Sequence, residues 1–162
     1  MDEIIAHIEE LSKLSPYIKL YRNFDPKIIL KHIGKITGEI DRQYVDFLLK
    51  TNGASILDYC FLGLKNHTLG VNVYDNMREL WQSDCLLTFR FWGIVGTSSG
   101  ENFGYIDEKD SSGNHYIGYY SANEPEHVYL VASSFNIFMD KFLKQVEASL
   151  AIDKNAIYID ND

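Results

Sequence analysis

The chain has 162 residues, a net charge of −8, 46% apolar residues and 14% aromatics. That length fits one domain, which buries roughly two thirds of the surface its unfolded chain exposes and needs no disulfide or metal as a staple. The acidic balance argues against a grip on phosphate backbones, which calls for a basic face, and leans toward a basic partner or simple solubility.

No apolar run reaches the roughly 18 residues of a membrane span. The opening Met1-Asp2-Glu3-Ile4-Ile5-Ala6-His7 has neither the basic nor the apolar segment of a signal peptide. Cys60 and Cys85 sit in apolar surroundings without metal or redox spacing and read as buried free thiols. Together these features set the expectation of a cytoplasmic protein with no membrane partner.

Ile4, Ile5, Ile8, Leu11 and Leu14 recur at helical spacing, and Ser15-Pro16 stops that helix. Asp25-Pro26 reads as an N-cap followed by proline at the first helical position, with Ile28, Ile29 and Ile33 as the buried side. Gly34 and Gly38 bracket a turn. Asp41 caps a third helix carrying Tyr44, Val45, Phe47, Leu48 and Leu49, and Gly53 is expected to close it in a left-handed conformation. Beyond Gly53 the texture changes to strand. Ile56 to Leu64 reads as one aromatic strand, Val71 to Tyr74 as a weaker one, and Asp75 to Gln82 as a short helix. Phe89 to Val95 is apolar, Gly96 to Gly100 a turn, and Phe103 to Ile106 a strand. Asp107 to Asn114 reads as a polar loop joining that strand to its hairpin partner, His115 to Tyr119. Val128 to Val131 is a last strand. Ser133 or Ser134 then caps a final helix with Phe135, Phe138, Met139, Phe142, Leu143 and Val146 on its apolar side. The tail from Asp153 either pairs at a sheet edge through Ile157-Tyr158-Ile159 or hangs free. This order predicts a single α+β domain over residues 1–162, with a largely antiparallel sheet and helices packed on one face.

Two patterns invite an enzyme assignment. Gly96-Thr97-Ser98-Ser99-Gly100 satisfies the G-x-S-x-G pattern, which would make Ser98 a hydrolase nucleophile, but that chemistry needs a helix after the turn and Glu101 onward reads as strand. His7, His32, His67, His115 and His127 are scattered one per element, and no pair has a metal-ligand spacing. No catalytic residue, metal or other cofactor is expected.

Ile40-Asp41-Arg42-Gln43-Tyr44-Val45-Asp46-Phe47-Leu48-Leu49-Lys50-Thr51-Asn52-Gly53 resembles the signature helix of the SUKH superfamily (the Smi/Knr-type group), with Asp41 where proline is usual. Cys60-Phe61-Leu62-Gly63 resembles the aromatic strand that follows it. Trp92-Gly93-Ile94-Val95-Gly96, leading into Gly100 to Asp107, is similar to the family's glycine-rich turn and next strand. Ala132-Ser133-Ser134-Phe135 resembles its closing strand-to-helix element, so the resemblance covers about residues 40–145. It implies a bacterial immunity protein that binds and neutralises a cognate polymorphic toxin, with nucleases among the toxin classes. The alternative it carries is a regulatory scaffold of the cell-wall-synthesis type, since one fold hosts several functions.

Charge is unevenly placed. Basic residues dominate between Lys13 and Lys50, whereas between Glu101 and Glu126 six acids face only Lys109. The expected partner-binding surface is therefore Glu101, Asp107, Glu108, Asp110, Glu124 and Glu126, with Asp58, and with Trp81 or Tyr120 as aromatic anchors. Such a surface would suit a toxin that is basic where it holds nucleic acid, without this chain touching nucleic acid itself. Oligomeric state is not legible.

Overall fold

The computed structural model describes residues 1–22, 25–33, 40–63, 91–124 and 126–159, with residues 32–33 and 152–159 by their backbone alone. The expected turn at Gly34 to Gly38, the strand at Val71, the helix at Asp75, and Trp81, His67 and Cys85 lie outside the described residues. Helix α1 (Asp2–Ser12) buries Ile5, Ile8 and Leu11, while Ile4 is half-buried and Leu14, past the helix end, is exposed. Strand β1 (Ile18–Leu20) follows, then α2 (Pro26–Ile33) and α3 (Arg42–Lys50). The Asp25 carboxylate accepts from the Lys27 amide as the cap of α2, whose buried contribution comes from Ile29, with Ile28 exposed.

The run after Gly53 is not one strand. It folds back as β2 (Ala54–Ile56) and β3 (Tyr59–Phe61) through a two-residue turn with Leu57 at φ 56°. Then come β4 (Trp92–Gly96), β5 (Glu101–Lys109), β6 (His115–Ser121) and β7 (Val128–Ala132). Strand β5 runs through Asp107, Glu108 and Lys109, which the sequence places in a loop, and Lys109 pairs with His115. Helix α4 (Phe135–Ile159) then continues through the tail expected to pair at an edge or hang free.

Among the described residues seven strands lie in chain order, every neighbouring pair antiparallel. Strand periodicity puts Ile18, Ile56, Phe61, Val95, Tyr105 and Ile117 on one face, where α1, α3 and α4 cover them in one continuous core. Aromatic rings join the layers. Tyr44 and Phe47 of α3 meet Phe135 of α4 edge-on, and Phe138 and Phe142 of α4 lie against Phe103 and Tyr59 of the sheet. The α+β class with helices on one face of an antiparallel sheet is thus observed. On the opposite face a smaller cluster forms from Phe91 and Tyr120, with Ile106 and Val128 against it. Its floor is the cross-strand pair Gly104 and Gly118, and a Cβ on Gly104 would come 2.8 Å from the Phe91 ring.

Asp41 ties α3 to the sheet. It is 1% exposed, one carboxylate oxygen accepting from the Tyr44 amide at 2.9 Å and the other from the His115 amide at 3.3 Å. Its neighbour Tyr44 donates its hydroxyl to the Leu62 carbonyl, and burial pushes that phenol well above its usual range. Among the described residues no helix is long and apolar enough to cross a membrane.

Candidate protein-binding surface

Antiparallel register decides which turns meet. Pairing of Ile18 with Ile56, Cys60 with Gly96 and Glu101 with Ser121 brings Tyr17, the Leu57-Asp58 turn, the Thr97 to Gly100 turn and the Ala122 to His127 turn to one end of the sheet. Two backbone bonds join these pieces: the Leu57 amide donates to the Tyr17 carbonyl at 3.1 Å, and the Ala122 amide to the Gly100 carbonyl at 3.3 Å. Asp58, Glu101, Glu124 and Glu126 therefore share this end, and none of its three turns contains a lysine or arginine. Among the described residues none of the four carboxylates makes an ion pair.

The other three expected acids lie elsewhere. Asp107 and Glu108 sit toward the far end of the nine-residue β5 and Asp110 just past it, about 20–30 Å from Glu101 at the usual rise of an antiparallel strand. That is several times the roughly 8 Å over which exposed charges act at physiological salt, so the acids form two surfaces rather than one. Asp107 and Glu108 are exposed. Asp110 works mainly inside its own turn: its carboxylate accepts from the amides of Asn114 and Ser112 and from the Asn114 side chain. The Asn114 amide above all, with its neighbours, holds that carboxyl below the usual aspartate range.

Of the two expected aromatic anchors, Trp81 lies outside the described residues. Tyr120 is 6% exposed, its ring against Phe91, because it points to the face opposite Tyr119. Two tyrosines of the last hairpin do reach this end: Tyr119 and Tyr129, directly opposite each other on β6 and β7. The Tyr119 hydroxyl donates to Glu101 at 2.9 Å and the Tyr129 hydroxyl to Glu124 at 2.9 Å. Hydrogen bonding to a carboxylate raises both phenols above their ordinary value. Tyr129 is about half exposed, its ring beside His127, and Tyr17 is 72% exposed at the opposite side of the same end. Composition alone marks the acids. Finding their tyrosine partners needs the hairpin register, which sets Tyr119 on the same face as Phe103 and Glu101.

The basic N-terminal third does not present a uniform positive face. Lys13 pairs with Glu10, Arg22 with Glu9 and Lys50 with Asp2, so three of its cations are engaged by acids of α1. The Gly96 to Gly100 turn is a hairpin connection. Thr97 Oγ1 accepts from the Glu101 amide, the Thr97 amide donates to the Glu101 carbonyl, and Glu101 opens β5. The helix that a nucleophile elbow requires is replaced by a strand, so Ser98 is an exposed turn residue. Among the described residues no group of three His, Cys, Asp or Glu could hold a metal ion.

The molecule is thus an α+β domain that displays carboxylates on the turns at one end of its sheet. Residues 31–141 match the model of the SMI1 / KNR4 family (SUKH-1), and the chain belongs to that family. The match runs from α2 through the whole of β7 into α4 and includes every residue of the carboxylate end except Tyr17. A domain of this family is consistent with an immunity-type protein. No curated protein matches the chain.

Proposed function

We propose that the protein is an immunity protein that neutralises a cognate toxin by binding it, and that the partner is met at the sheet end formed by Glu101, Glu124 and Glu126, with Asp58 at its margin. One observation carries this reading: three turns from different parts of the chain converge there, display four carboxylates and contain no lysine or arginine. Loops on a rigid scaffold are where binding residues are displayed. A toxin that holds nucleic acid is basic at that site, so an acidic surface steers association toward it and blocks the substrate path. Binding occurs in the cytoplasm of the producing cell. Asp107 and Glu108, toward the far end of β5, form a separate patch outside the proposed contact and serve as its control.

The test is co-expression with the toxin domain encoded by the adjacent gene, scored by growth and by complex formation. The near-end variant combines Asp58→Asn, Glu101→Gln, Glu124→Gln and Glu126→Gln, and the far-end variant combines Asp107→Asn and Glu108→Gln. Loss of protection and of salt dependence in the near-end variant alone is expected. Equal protection by wild type and the near-end variant refutes this surface. An adjacent gene encoding no toxin favours the regulatory scaffold instead.

A further inference from the structure

The geometry points to the outer edge of β7 as a strand acceptor: we propose that an extended segment of the partner toxin adds to the sheet beside Val128–Ala132, with a lysine or arginine of that segment against Glu124 and Glu126. This rests on the toxin-binding reading and specifies how the contact is made. Strand β7 is the last in the sheet and pairs only with β6 among the described residues. An unpaired edge is a ready template for another strand, and soluble proteins usually blunt it with lysine, proline or inward charge. Here the edge lacks the charged safeguard. Tyr129 is 49% and Leu130 58% exposed, on opposite faces of the strand, and the chain has neither lysine nor arginine from Asp110 to Asp140. The register slips between Ile117 and Gly118 opposite Ala132 and Leu130, which bends the strand but leaves Val128 to Leu130 in regular pairing.

Charge selects the occupant. Glu124 and Glu126 stand at the entry to β7, with Glu101 two strands away at the same end. A second copy would bring its own edge, equally without cations and flanked by the same acids, from a chain of net charge −8. A basic segment finds complementary charge at the strand entry, apolar side chains on both faces and main-chain partners between them, which is the recognition mode of strand addition. The structure therefore favours a basic strand over self-association.

The test combines amide exchange and variants, with the adjacent-gene toxin domain as probe. In the wild-type complex, amides within Val128–Ala132 gain protection relative to the free protein. Leu130→Lys, at an exposed position where the free fold tolerates the change, weakens the toxin complex at least about tenfold. Far-end Asp107→Asn leaves it unchanged. Unaltered β7 exchange on binding, or a Leu130→Lys protein that binds as wild type does, overturns the strand-acceptor proposal while leaving toxin binding standing. A free protein that sediments as a dimer and becomes a monomer with Leu130→Lys assigns the edge to a second copy and also overturns it. Wild type that binds no toxin removes both proposals. Should Leu130→Lys fail to fold, the exchange measurement on wild type still decides.

Discussion

Replacing Gly53 by alanine tests how α3 and the first hairpin are joined. Gly53 has φ +91°, but it does not cap α3. The helix ends at Lys50, and the Thr51 that follows is extended, its amide bonded to the Phe47 carbonyl. The left-handed residue instead lets the chain pass against β3. A Cβ on Gly53 would overlap the Phe61 carbonyl oxygen and lie 3.0 Å from the Gly63 amide nitrogen, and both neighbours are backbone. Two costs follow: about 1–2 kcal/mol for an L-residue held at positive φ, and about 1–3 kcal/mol for forcing backbone apart in a packed interior. Their sum is about 3 kcal/mol, which lowers the melting temperature of a domain this size by about 10 °C. Gly113 supplies the control. Its φ is +82°, yet a Cβ there meets nothing within 4 Å, so Gly113→Ala carries only the backbone cost and about 2–8 °C, below the Gly53→Ala shift. Thermal unfolding by circular dichroism reads both. Equal melting temperatures for the two variants would refute the argument from close approach.

Two further outcomes follow from buried and paired polar groups. Asp41→Ala removes a helix cap and leaves the buried His115 amide without its acceptor, a loss of about 2–4 kcal/mol. Asp41→Asn keeps one acceptor oxygen and falls between, so urea midpoints should rank wild type, Asn, Ala. Tyr119 and Tyr129 titrate above an ordinary tyrosine because each donates to a carboxylate. A phenol raised in the folded state contributes stability that is present below its unfolded value near 10 and lost as pH rises through the folded value. Phenolate absorbance should therefore show a late component, which Glu124→Gln shifts to lower pH through Tyr129. A titration curve superimposable on wild type would contradict that bond.

What was legible in the sequence is what local chemistry dictates. Asp25-Pro26 and Asp41 start helices where their side chains accept from amides two and three residues on. The switch to strand after Gly53, the β5–β6 hairpin and the start of α4 at Ser134 follow from periodicity and capping in the same way. The β2–β3 turn was hidden because Leu57-Asp58 carries no glycine or asparagine. Leucine at φ 56° is unfavourable by itself and is held by packing of its side chain on the core. The outer part of β5 reads as loop in the sequence because Asp107 and Glu108 fall in the irregular stretch between the Tyr105–Ile117 and Lys109–His115 pairs, where no apolar alternation marks a strand. At the surface, the acids were legible as composition, but their division between two ends of the sheet depends on register. So does the parity that buries Tyr120 and sends Tyr119 to Glu101.

The carboxylate end and the β7 edge do different work, and kinetics can separate them. A cation about 4 Å from a carboxylate gains about 1 kcal/mol in bulk water and about 4 kcal/mol at the lower dielectric of a closed protein surface. Glu124, exposed, and Glu101, half-buried, can therefore attract a basic toxin without holding it on their own. Their hydrogen bonds to Tyr119 and Tyr129 fix the side chains in advance, which lowers the ordering cost of contact. Tyr129 and Leu130 supply the apolar cover that excludes water once a strand lies beside β7. Glu101→Gln with Glu124→Gln should then slow association and flatten its salt dependence, while Leu130→Lys should chiefly speed dissociation. Surface plasmon resonance at low and high salt resolves the two rates. If the charge variant changes only the dissociation rate, the glutamates are buried contact residues rather than steering charges, and the division of labour drawn from their exposure fails.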